Sequence, residues 1–215
     1  MRSLKAGAIF CVTVLWAVAY AQGQTVTFIL DFSGSNPSHY EILTNSDGKG
    51  SYTSNGQLSH ESEPADPVVL EFTLSESVRA QIFDLAKKAH YFEGKVDSGR
   101  TNLANTGNKT LIYKDASHNS QATYNYSPVQ PVQDLTTIFQ GLSTTLEFGR
   151  RLTYFQKYQK LAIDEDLKRM EQMQREKNLG DLQAIAAVLK SIADDTSVMN
   201  VSRARALRLL ALAGK

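Results

Sequence analysis

The chain has 215 residues, with 23 Lys and Arg against 22 Asp and Glu, and a single cysteine. A formal net charge of +1 lacks the basic excess that nucleic-acid binding draws on. The cysteine, Cys11, lies in a segment expected to be removed, which leaves no thiol for a disulfide, a thiolate metal site or a nucleophile.

Arg2 and Lys5 precede an apolar stretch from Ala6 to Tyr20, and Ala19-Tyr20-Ala21 is the small-x-small pattern that a signal peptidase reads. The stretch is shorter than the run of about 20 apolar residues that spans a bilayer. Residues 1–21 are therefore expected to be a cleaved signal peptide, with Gln22 first in a mature chain that is secreted or periplasmic and has no membrane span. The remainder divides into an expected sheet domain, 22–146, and a helical extension, 147–215. Residues 22–150 carry 9 basic and 14 acidic side chains, whereas 151–215 carry 12 and 8. An acidic front and a basic back fit a strand-rich body followed by helices that use Lys and Arg as solvated helix formers.

Thr25–Phe32 alternates, with Val26, Phe28, Leu30 and Phe32 on one side, which is the period of a half-buried strand. Tyr40–Thr44 and Gly50–Ser54 flank Asn45-Ser46-Asp47-Gly48, whose Asp-Gly pair predicts a hairpin turn. Residues 57–67 are polar, with Pro64 and Pro67, and read as a loop or a weak edge. Val68–Leu74 is a further strand, after which Ser75 is placed to cap a helix bearing Val78, Ile82, Leu85, Ala86 and Ala89 on one face. Thr110–Lys114 and Ala122–Tyr126 form a last strand pair. Beyond Pro131, Val132, Leu135, Ile138, Phe139, Leu142 and Leu146 recur at helical spacing. The pattern runs on to Lys177, either as one rod or as two helices broken near Asp164. Asn178-Leu179-Gly180 stops it, Asp181 caps the next helix, and Ser202 is placed to cap the last. The fold class that follows is α+β: a mainly antiparallel sheet with covering helices, then a helical hairpin or small bundle.

The run YEILTNSDGKGSYTSNG at 40–56, the helix SESVRAQIFDLAKKAHYF at 75–92, and the pair KTLIYKD and QATYNY resemble a group of exported bacterial domains of unknown function. Those domains share a tyrosine strand, a DG hairpin turn, and a helix ending in aromatic residues before a final hairpin. The resemblance covers residues 25–146 and implies no activity or cofactor; the loop SGSNPSHY at 33–40 lacks the cysteine that many members carry there.

Chemistry is sparse. His39, His60, His90 and His118 stand at no metal-ligand spacing, and a site from His39, His60 and a carboxylate could arise only in the fold. Ser46-x-x-Lys49 has the spacing of serine acyl enzymes but sits in a turn, where the lysine is not one helical turn on. The expectation is no catalytic, metal or cofactor residue. The candidate interaction residues are Tyr40, Tyr52 and Tyr124, as a possible aromatic sheet face or as core, and Met170 and Met173 on a narrow apolar stripe of the tail. That stripe would pack on the Asp181–Ala193 helix or on a second subunit as a homo-oligomer. The functional expectation is an exported, non-enzymatic binding or interaction protein of the bacterial envelope, its partner a protein or envelope polymer and not nucleic acid. The alternative is an envelope hydrolase whose site assembles only in the fold.

Overall fold

A computed structural model describes residues 23–58, 67–100 and 102–213; the expected signal peptide, His60 and Pro64 lie outside them. Six strands follow the alternating segments: β1 (Thr25–Asp31), β2 (His39–Asn45), β3 (Lys49–Ser54), β4 (Val68–Thr73), β5 (Asn108–Lys114) and β6 (Asn119–Tyr124). All neighbours are antiparallel, in the order β4-β3-β2-β1-β5-β6. Most links are hairpins, and β5 closes on the free side of β1 only after the chain has made a helix.

Register explains which face is buried. One row across the sheet reads Leu70, Tyr52, Ile42, Phe28, Leu111 and Ala122. The next residue along each strand gives Glu71, Ser51, Leu43, Thr27, Ile112 and Gln121 on the opposite face. A one-residue slip would exchange these two sets, so the apolar face fixes the pairing.

Two helices cover that apolar face. α1 (Glu76–Lys88) starts where Ser75 Oγ accepts from Val78 N, with Glu76 in its first turn and Lys87 and Lys88 in its last. α2 (Gln130–Tyr158) has Pro131 in its first turn, where no helical N–H is lost. Its Val132, Leu135, Phe139 and Leu142 are buried, and Phe139 stacks on Phe28 with ring centroids 5.2 Å apart. The expected boundary at 146/147 falls in the middle of this helix, and burial continues through Phe148 and Leu152 in one core cluster.

The helix ends at Gln159, earlier than the break expected near Asp164, and a 3-10 turn, Lys160–Ala162, leads into α3 (Ile163–Arg175). Asp164, Glu165 and Asp166 then occupy the first turn of α3, where the helix dipole favours acids. The return crosses α2 at very close range. A Cβ on Gly180 would stand 2.4 Å from Leu142 N, and one on Gly149 would stand 2.5 Å from Ile185 Cγ2. Thr145 Oγ1, between the two crossings, accepts from Gly180 N at 3.0 Å.

Asp181 opens a 3-10 turn, Leu182–Ile185, that runs into α4 (Ala186–Asp194), and α5 (Asn200–Leu210) is the last of the described elements. The expected partner of the α3 stripe is corrected: α3 lies against α5 and α2. Charge pairing accounts for the choice, since Arg205 bridges Asp164 and Glu171 while Arg208 Nη2 reaches Glu171 Oε1 at 2.7 Å. Ser202 is not the cap of α5. Met199 takes that position, and the buried Ser202 hydroxyl donates to Asp164 Oδ1 at 3.2 Å.

Candidate functional site

The tyrosines singled out from the sequence lie on the covered face: Tyr40, Tyr52 and Tyr124 are 4%, 0% and 3% exposed. They share that face with Phe28, Ile42 and Leu111, so they form core and no aromatic platform faces solvent at these positions. Burial pushes the phenols of Tyr52 and Tyr40 well above their ordinary range and that of Tyr124 up to about 12. Met170 is fully buried and Met173 half-buried within the same chain.

Tyr52 belongs to a buried polar cluster that pins α2 to the sheet. Glu147 Oε1 accepts from Tyr52 OH at 2.9 Å and from Ser54 Oγ at 2.6 Å. Its Oε2 accepts from Arg150 Nε and Nη2 at 2.9 and 2.7 Å. With both oxygens committed, this carboxylate positions structure and leaves no lone pair turned to a substrate. Ser46 lies in the β2–β3 turn and Lys49 opens β3, its N–H donating to Asp47 Oδ1. Among the described residues, no three His, Cys, Asp or Glu side chains gather as a metal site would.

A different arrangement lies at the sheet's β4 end. β4 is an edge strand, and among the described residues nothing pairs with its outer side. Beside it runs a groove of about 160 Å³ walled by Leu70, Leu146, Ile185 and Val188. Each wall has a separate origin: strand β4, helix α2, the 3-10 turn and α4. Gly149 makes the groove possible, because any side chain there would collide with Ile185. The guanidinium of Arg150 at the rim is neutralised by Glu147. Glu71 is the exposed carboxylate on the other side, and Val69 stands 61% exposed on the strand. A larger hollow of about 490 Å³ separates α2 from the Gln174–Leu182 return, lined by Gln140, Thr144 and Asn178 with Lys177 and Asp181, and it touches no strand edge.

None of the groove residues stood out in the sequence. Its one local signal is Pro67, directly before β4, since proline favours edge strands. Compared with protein-family models the chain matches none, and the search of curated proteins returned no match.

Proposed function

We propose that the protein is an exported, non-enzymatic binding protein of the bacterial envelope that takes an extended segment of a partner protein onto the β4 edge. The observation that carries this reading is an apolar groove lying directly beside a strand edge. An added strand gains main-chain hydrogen bonds from the edge, and every second side chain turns toward the body, where a pocket reads it. A hollow of roughly 150 Å³ holds a benzene-sized group, so about 160 Å³ suits one aliphatic or aromatic side chain. Export is supported by the charged start, the short apolar core and the Ala19-x-Ala21 pattern.

Selection of random peptides against the mature protein tests the reading. Selected sequences should share one large apolar residue flanked by extended, β-prone positions. Their binding should be lost on Val188→Lys, which places a charge in the groove, and weakened by Thr153→Trp at its exposed rim. Enrichment of peptides that bind both variants as well as the parent would refute it.

A further inference from the structure

The molecule has a second concave site, at the Asp31 end of β1, built from side chains that the β4 groove does not use. Asp31 and His39 are cross-strand partners, and His39 Nδ1 lies 2.6 Å from Asp31 Oδ1. The bond fixes the ring and leaves Nε2 turned away from the carboxylate. On the other flank of Asp31 its cross-strand partner is Asn108, and Asn105 stands just before β5. Together with Ser33 and Phe32 these residues line a hollow of about 390 Å³.

Its hydrogen-bonding capacity is largely unspent. Asn105 Oδ1 accepts from Gly107 N at 2.9 Å, which orients the amide and leaves its NH2 to donate outward. Among the described residues, the Asn108 amide, the Ser33 hydroxyl and Asp31 Oδ2 have no hydrogen-bond partner. Asp31 and His39 remain 59% and 45% exposed at their side chains, so a ligand can reach them. The wall is nonetheless held in place. Phe32 N donates to Ser38 O at 2.8 Å, Ser35 Oγ donates to Pro37 O at 2.7 Å, and His39 N donates to Asn55 Oδ1 at 3.0 Å. A wall fixed before binding loses little conformational entropy when a ligand arrives.

We propose that this hollow is a saccharide-binding site for neutral sugars with vicinal hydroxyls. Each sugar hydroxyl both donates and accepts, and the groups here supply both roles: the Asn108 amide offers a donor and an acceptor side by side, the Asn105 NH2 donates, the free Asp31 carboxylate oxygen accepts, and His39 Nε2 adds a further polar atom. Phe32 supplies an apolar surface for the C–H side of the ring. No Lys or Arg lines the hollow, and Asp31 repels an acidic sugar. The site is independent of the peptide groove, since it is built on β1, β2 and the approach to β5.

Amide chemical-shift titration of the labelled mature protein with cellotetraose, chitotetraose and maltotetraose, and with trigalacturonate as the acidic comparison, tests this. At least one neutral oligosaccharide should shift the amides of Asp31, His39, Asn105 and Asn108. Asp31→Ala and Asn108→Ala should each weaken that binding about tenfold or more, in proteins whose remaining spectrum is unchanged. Peptides selected for the β4 groove should bind these variants as they bind the parent. No shift with any of the three neutral sugars, shifts confined to another surface, undiminished binding by both variants, or tighter binding of trigalacturonate would each overturn the proposal.

Discussion

Replacing Glu147 by Ala removes the one acceptor on which three buried donors converge. Tyr52 OH, Ser54 Oγ and the Arg150 guanidinium all point at its two oxygens, and the Arg150 and Glu147 side chains are only 10% and 11% exposed. Breaking a buried pair by removing one partner costs about 3–5 kcal/mol, because the remaining charge stays buried and uncompensated. Tyr52 retains Ser143 Oγ at 3.1 Å as an alternative partner, which holds the loss within that range. Native stability is about 5–15 kcal/mol, so roughly a fifth of it or more is at stake. At about 2–4 °C per kcal/mol for a chain of this size, Tm should fall by roughly 6–20 °C. Glu147→Gln keeps an oxygen for Tyr52 and Ser54 but sets an NH2, which cannot accept, against the Arg150 guanidinium, so it loses the ion pair alone and should fall between parent and Ala. Urea denaturation followed by circular dichroism gives the three stabilities. An alanine variant within about 0.5 kcal/mol of the parent, the scatter of ordinary surface changes, would refute the view that this cluster fastens α2 to the sheet.

Three further outcomes follow from the same geometry. Gly180→Ala should destabilise by about 1–3 kcal/mol or more, measured by thermal melting, since the new methyl meets the backbone of Leu142 at 2.4 Å. Met170→Asp should lower the urea midpoint far more than Met173→Asp, because only the first places a charge at a fully buried position. Asp115 is held down at about 2 by the Ser117 N–H, opposed by burial and aided by the His118 N–H. Its folded value thus lies below the ordinary carboxylate value of about 3.9, and the stability it contributes is present above that value and lost as pH falls toward 2. The gap in urea midpoint between parent and Asp115→Asn should therefore close between pH 4 and pH 2; a constant gap would contradict the assignment.

Legibility in the sequence tracked the range over which each signal acts. β1 and β4 announce themselves by two-residue alternation and β2 and β3 by the Asp-Gly turn between them, while β6 starts at Asn119, three residues before the expected Ala122; Ser75 caps its helix as its type and place predict. Alternation groups Tyr124 with Ala122, which favours burial, yet within β2 and β3 it cannot say which face a helix 90 residues later will cover. Ser202 misled for a related reason: serine favours helix caps, but here its hydroxyl serves Asp164, 38 residues away. The groove is the extreme case. Leu70, Leu146, Ile185 and Val188 are ordinary core residues within their own elements, and only the Gly149–Ile185 crossing makes them neighbours. The Asp31–His39 hollow depends likewise on β1 lying between β2 and β5.

The sheet order has a consequence for the nascent chain. β1 to β4 form a consecutive meander and α1 follows at once, but the α2 half of the lid, which covers Phe28 and Tyr52, is centred on Phe139, about 65 residues after Leu74. At synthesis rates of about 5–20 residues per second, the meander waits roughly 3–13 s for that lid, with the β1 flank also open until β5 emerges. Over that interval Phe28, Ile42 and Tyr52 are bare in a half-finished sheet with two free edges, the state in which strands recruit one another. A holding chaperone that keeps this early meander unpaired would therefore be needed most before residue 139 has left the ribosome, and hardly at all afterwards.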